Sequence, residues 1–251
     1  MKKLSVAAVL FGVIAVMISV LLLSDLFSAP RQETVPELPS VCPRTLDITT
    51  IASDILIEQG DSFRVEYRLS GKERVGRLAF SDDAFVFSAA GKLFGLPSFK
   101  ESYVKVTVPE SFVFSSVSLK TVSGKISLTG RSVVSFDEGR FETIAGDCLL
   151  NETAFRNAAV ETVSGRIEAN PQVSESCTLK TVSGAVDICL KEKVSVEAES
   201  YGSVSVYGND FGNRAVIRLS DSPVIAAESV SGRITVRTAN DESPSRDSRQ
   251  P

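Results

Sequence analysis

One tripeptide, Val-Ser-Gly, returns along this chain at an almost fixed step, and no other feature limits its possible folds so strongly. The copies read LKTVSGKISL around Gly124, FETIAGDCLL around Gly146, VETVSGRIEA around Gly165, LKTVSGAVDI around Gly184 and AESVSGRITV around Gly232, with a degenerate AESYGSVSVY around Gly202. In chain order the glycines are 22, 19, 19, 18 and 30 residues apart. The same residue types in the same phase at a period of about twenty mark a stacked repeat, in which each unit buries its apolar face only against its neighbours.

Within a copy, apolar residues stand two and four places after the glycine: Ile126 and Leu128, Cys148 and Leu150, Ile167 and Ala169, Val186 and Ile188, Ile234 and Val236. Alternation with a period of two is a strand with one buried face. Before the glycine the apolar positions are two back (Val122, Ile144, Val163, Val182, Val230) and five back (Leu119, Phe141, Val160, Leu179, Ala227). The parity changes near the glycine, so the strand bends or bulges there. Glycine suits such a place through its free backbone angles or by letting the next coil approach closely. Lys125, Asp147 and Arg166 one place after it, and Lys120, Glu142, Glu161 and Lys180 four before, point outward as cross-strand ladders mostly of opposite sign. Thr121, Thr143, Thr162 and Thr181, three before, are placed to share hydroxyl hydrogen bonds between coils. This polar face reads first as a solvated ladder that fixes register, and second as a surface that grips a ligand.

The chain opens with Met-Lys-Lys and then carries no charge from Leu4 to Ser24. That length suits a membrane-crossing helix, with Lys2 and Lys3 holding the amino end in the cytoplasm. A cleaved signal peptide is the alternative. The predicted organisation is a transmembrane anchor over 1–27, a proline-rich tether over 28–45, a repeat domain over 46–237 and a disordered polar tail over 238–251. Within the domain, 46–118 reads as atypical capping coils and 119–237 as regular repeats, on the order of nine turns at about twenty residues each. Everything after residue 24 is then extracytoplasmic, in a single-pass cell-membrane protein. It carries 25 basic and 31 acidic side chains, a net of −6, a poor footprint for nucleic acid.

Histidine is absent, which removes the commonest general base and metal ligand. The carboxylates Asp137, Glu138, Asp147, Glu168 and Asp187 fall on different columns in this reading, so no catalytic cluster forms. No cofactor and no metal is expected. Tyr207–Asn213 offers Asn209, Asp210 and Asn213 to a hard cation, but the same residues are ordinary turn formers. Cys148 and Cys177 fall at inward phases and Cys189 at an outward one; Cys42 lies in the tether, and a disulfide among them stays open. Seven of the fourteen phenylalanines lie between residues 80 and 114, where capping and core packing are expected. The interrupted segment 88–102 offers Leu93, Phe94, Leu96 and Phe99 as the alternative, an exposed loop that contacts a partner.

The TVSG-x-Ile/Val-x-Leu units, preceded by Val104-Lys-Val-Thr-Val-Pro109 and Asp54-Ile-Leu-Ile-Glu-Gln-Gly60, resemble the bacterial "putative adhesin" domain of unknown function, which includes LiaX-like envelope proteins. The resemblance covers residues 46–237. It implies an all-β, single-domain right-handed β-solenoid in the bacterial envelope and carries over no catalytic residue. The expected role is a non-catalytic binding module for an envelope protein or a surface polymer, held to the cytoplasmic membrane through residues 4–24. A bactofilin-like scaffold that stacks end to end is the second reading, and a polysaccharide-active β-helix enzyme the third.

Overall fold

The computed structural model describes residues 42–69, 73–81, 83–91, 102–129 and 133–239. They form a β-solenoid of paired strands, numbered here along the chain. Each coil is a strand, a corner and a second strand. In stacking order the coils are β5 (Ala84–Gly91) with β6 (Tyr103–Pro109), β1 (Thr45–Thr49) with β2 (Asp54–Gly60), and β7 (Val113–Thr121) with β8 (Ile126–Thr129). Next come β9 (Val134–Thr143) with the start of β10 (Cys148–Thr162), the rest of β10 with the start of β11 (Ile167–Thr181), and the rest of β11 with β12 (Val186–Leu190). The last two are β17 (Val224–Ser229) with β18 (Ile234–Thr238) and β13 (Ser195–Ser200) with β14 (Val204–Val206). These are eight coils against the nine turns expected, because the chain spends residues on caps rather than on a further coil.

The first strands of all coils pair in parallel in one sheet and the second strands in another, so every corner falls on the same edge. Cys42 leads into a first strand and Ala239 follows a second one, so both lie on the edge opposite the corners. The core fills the space between the sheets. Leu119, Phe141, Val160, Leu179 and Ala227 are buried from one side, and Ile126, Leu128, Cys148, Leu150, Ile167, Ala169, Val186, Ile188, Ile234 and Val236 from the other, as the two phases predict. Valines two before the glycine sit elsewhere. Val122 forms a small separate cluster with Ile51, against which Ile144 packs, because the corner turns these side chains away from the core.

Each end of the stack is closed by antiparallel strands. β3 (Arg64–Arg68) pairs with β6 and β4 (Glu73–Phe80) with β5, while β15 (Asn209–Asp210) pairs with β14 and β16 (Arg214–Ile217) with β13. A reversed strand ends a parallel ladder and removes the template that another chain would extend. At the first end Phe63, Phe80 and Phe85 pack ring to ring, as does Tyr67 with Phe87; Phe112 meets Phe114 where the chain enters the third coil. At the other end a hairpin closes the stack, not the polar tail. That hairpin occupies residues 207–223 and explains the 30-residue step between Gly202 and Gly232.

Candidate functional surfaces

The corner is where the repeat motif acts. Its threonine ends the first strand and turns inward, and its hydroxyl oxygen accepts the glycine N–H: Thr121 from Gly124 at 3.1 Å, and Thr143, Thr162 and Thr181 from Gly146, Gly165 and Gly184 at 3.0 Å each. These threonines are buried and tie each corner together within its own coil, instead of bonding hydroxyl to hydroxyl along an outer ladder, and Thr181 also donates to the Gly165 carbonyl of the preceding coil at 3.5 Å. A β-carbon on Gly146 would overlap the carbonyl oxygen of Gly124, one on Gly165 that of Gly146, one on Gly184 that of Gly165 and one on Gly232 that of Gly184. Close approach therefore demands glycine here. The left-handed backbone does not, since the described glycines with positive φ are Gly208 and Gly212.

Backbone bonds run from corner to corner. Val122 and Ser123 donate to the Ile51 carbonyl at 3.2 and 2.9 Å, Ile144 and Ala145 to that of Val122 at 3.2 and 2.9 Å, and Val182 and Ser183 to that of Val163 at 3.2 and 2.9 Å. Among the described residues no carbonyl of the preceding coil meets the Ile51 corner, and a side chain serves its donors. Glu73 Oε1 accepts Ile51 N–H at 2.7 Å and Ala52 N–H at 2.8 Å, and its Oε2 accepts the Ser53 hydroxyl. At the other end Val204 N–H donates to the Gly212 carbonyl at 2.7 Å and Ser200 N–H to that of Asn213 at 2.9 Å. Among the described residues the corner edge is thus a continuous column whose outer rungs are Ile51, Val122, Ile144, Val163, Val182, Val230 and Tyr201. Its exposure rises to 37% at Val230 and 60% at Tyr201.

Charged ladders cover both outer faces. On the first sheet, Glu142 is buried between the Arg140 guanidinium and Lys120 Nζ, the latter at 3.4 Å, and Lys180 meets Glu228 at 3.4 Å. Glu161 lies between them beside Glu142, a like-signed neighbour, and its Oε2 has no hydrogen-bond partner among the described residues. Burial, then Glu142, raises the Glu161 pKa above the usual carboxylate value.

On the second sheet the carboxylates do not scatter. Glu168 and Asp187 are direct register partners, because both stand three places after a repeat glycine. Asp187 accepts Arg166 Nε and Nη2 at 3.0 and 2.8 Å, Glu168 lies 3.6 Å from Arg166 Nη2, and Asp147 accepts the Arg166 backbone N–H at 2.8 Å. Two carboxylates meet the Arg166 guanidinium and a third its backbone N–H, and pairing with Asp187 holds the guanidinium more firmly protonated than usual. The cluster is an ion-pair ladder on an open face. Glu138 is elsewhere, bonded to Asn157. One Ser-x-x-Lys spacing, Ser102 to Lys105, runs into extended β6, where residues three apart point to opposite faces; Lys105 pairs with Glu58 at 2.7 Å.

In the 207–213 turn, Asp210 Oδ1 accepts Gly212 N–H and Asn209 donates to the Tyr207 carbonyl, so two of the three suggested cation ligands serve the turn. Cys148 and Cys177 are buried core residues whose thiols burial pushes up, Cys177 to about 12. Leu93, Phe94, Leu96 and Phe99 lie outside the described residues, as do the suggested anchor over 4–24 and most of the tether and tail. The flanks of the 92–101 segment, Gly91 and Ser102, end one strand and precede the next at the corner edge.

The chain is similar to a crystal structure from Clostridium sporogenes described as a "putative cell adhesion protein", at 12% identity and a TM-score of 0.44, over 82% of this chain and 97% of that one. No curated protein matches it. The model of the family described as Toastrack DUF4097 matches residues 44–245, the whole span of the coils and caps. The chain belongs to the Toastrack DUF4097 family.

Proposed function

We propose that the protein is a membrane-anchored, extracytoplasmic interaction module of the bacterial envelope that performs no catalysis. The observation that carries this reading is the closure of the stack. Two antiparallel strands cap each end, which leaves surfaces for binding rather than bare ends for polymerisation. The carboxylates nearest to an acid–base set are tied to Arg166, which disfavours the polysaccharide-active reading. The parallel crossovers take the right hand, as such connections do in nearly all proteins.

The uncharged run over 4–24 anchors the chain, and the net charge of −6 beyond it suits a protein or neutral polymer rather than nucleic acid. Cys42 and Ala239 lie opposite the corners, so the corner edge faces away from the tether. We place the partner contact there, on the segment with Leu93, Phe94, Leu96 and Phe99 between Gly91 and Ser102, and along the exposed rungs Val230 and Tyr201. The test is photocrosslinking in intact cells, with a probe residue at position 94, at position 201 or at Glu197 on the first-sheet face. A discrete envelope adduct from 94 or 201 and none from 197 supports the reading. Adducts from 197 alone move the contact to the sheet face, and none from any position contradicts an interaction role.

A further inference from the structure

The first and last coils of the chain are not the ends of the stack. β1 lies between β5 and β7, with five register pairs to each, and β2 lies between β6 and β8. β17 likewise lies between β11 and β13, with six pairs to each, and β18 between β12 and β14. The grip begins where the chain enters. Ser115 N–H donates to the Arg44 carbonyl at 2.8 Å on one flank, and Thr45 N–H donates to the Asp83 carbonyl at 2.9 Å on the other. Leu46 and Ile48 are fully buried among Phe85, Phe87, Val117 and Leu119.

We propose that this insertion makes the entry at Cys42 a force clamp, in which tension between residue 42 and anything held at the corner edge is carried in shear by both ladders of β1 at once. β1 runs from the terminal edge towards the corner edge, parallel to both neighbours. A pull on its amino end therefore draws it along its own axis, while the ladder bonds lie across that axis and are loaded together. A first coil at the end of the stack would have one ladder and would fray, as terminal repeats do. Here the coils that can fray contain no chain terminus. Release of β1 and β2 would also leave the β5–β6 coil without a parallel neighbour, so the clamp and that coil yield together.

The test is single-molecule pulling on the full chain in detergent, with one handle at the amino terminus and the other on Ser123→Cys, at the exposed corner of the adjacent coil. Cys42→Ser and Cys189→Ser leave that thiol as the accessible one. In the comparison, the second handle is at the carboxyl terminus. Residues 42 and 239 share an edge about five coil steps apart, roughly 24 Å, so that pull runs across the strands. The clamp predicts rupture at several-fold higher force in the Ser123 geometry. It also predicts one step that releases on the order of 250 Å, the stretch from residue 42 to 123. Equal forces in the two geometries would overturn it, as would a first step of roughly 60 Å in which residues 42–60 leave alone. If Ser123→Cys unfolds the coil, Ser164→Cys supplies the same direction of pull. Hydrogen exchange is the second measurement: β1 and β18 amides must exchange more slowly than those of β15 and β16, and the reverse order refutes the clamp.

Discussion

Replacing Glu73 by alanine probes how the Ile51 corner is held. The carboxylate serves donors like those that meet a carbonyl at the next corners: Ile51 N–H, Ala52 N–H and the Ser53 hydroxyl. Ile51 and Ser53 are buried, whereas Ala52 is exposed, so water can satisfy one donor and not the other two. A buried donor left without a partner costs about 1–3 kcal/mol. Glu73→Ala should therefore destabilise the protein by roughly 2–6 kcal/mol, the sum for two such donors. Glu73→Gln keeps an amide oxygen in the Oε1 place, and the Ser53 hydroxyl can turn to accept from the new amide. It should cost no more than about 1 kcal/mol, one neutral hydrogen bond in place of a charged one. The assay is urea unfolding followed by far-ultraviolet circular dichroism, since the chain has no tryptophan, and the slope must stay unchanged for the midpoint shift to count as stability. An alanine variant within about 0.5 kcal/mol of the parent, the ordinary range of surface substitutions, would refute the idea that this carboxylate holds the Ile51 corner.

Other perturbations separate the remaining elements. Gly165→Ala places a β-carbon against the Gly146 carbonyl, where only backbone can yield. A loss of about 3 kcal/mol or more is expected in the same unfolding assay, and a neutral result would mean the corners are not in contact. Glu161→Gln should raise the unfolding midpoint at neutral pH and change it little below about pH 4, where the unfolded carboxyl is already protonated. Its folded pKa is raised by burial and by Glu142, so the native state binds the proton more tightly and loses stability as pH rises from the unfolded to the folded value; a lower midpoint at neutral pH would contradict this. Thiol labelling of the native protein should modify Cys189 first and Cys42 more slowly, because burial pushes the Cys42 thiol up to about 12. Cys148 and Cys177 should react only on unfolding, and their labelling in the native state would show an open core.

The coil was legible because its signals are local. A period of about twenty, a strand parity on each side of the glycine, and Leu119 or Ile126 at the inward phase follow from one stretch of chain at a time. Thr121 and Val122 were misplaced for the same reason. Counting positions cannot show that the corner turns the threonine inward onto its glycine N–H and the valine out of the core. The two inserted coils were not legible, since nothing in the local pattern of 45–60 or 224–238 records which neighbours they choose. Glu73 gave no signal either, because its donors lie twenty or more residues away. The gathering of Asp147, Glu168 and Asp187 was available in the sequence, since Glu168 and Asp187 share a phase relative to Gly165 and Gly184. What the phase could not show is that Arg166 stands among them.

The distinction between a closed interaction module and a scaffold that grows end to end rests on both ends of the stack being capped. Light scattering of residues 42–251 across a wide concentration series, with and without reductant, addresses it most directly. Capped ends predict a monomer at every concentration; growth into longer species as concentration rises would show that the ends remain open and that the scaffold is the better reading.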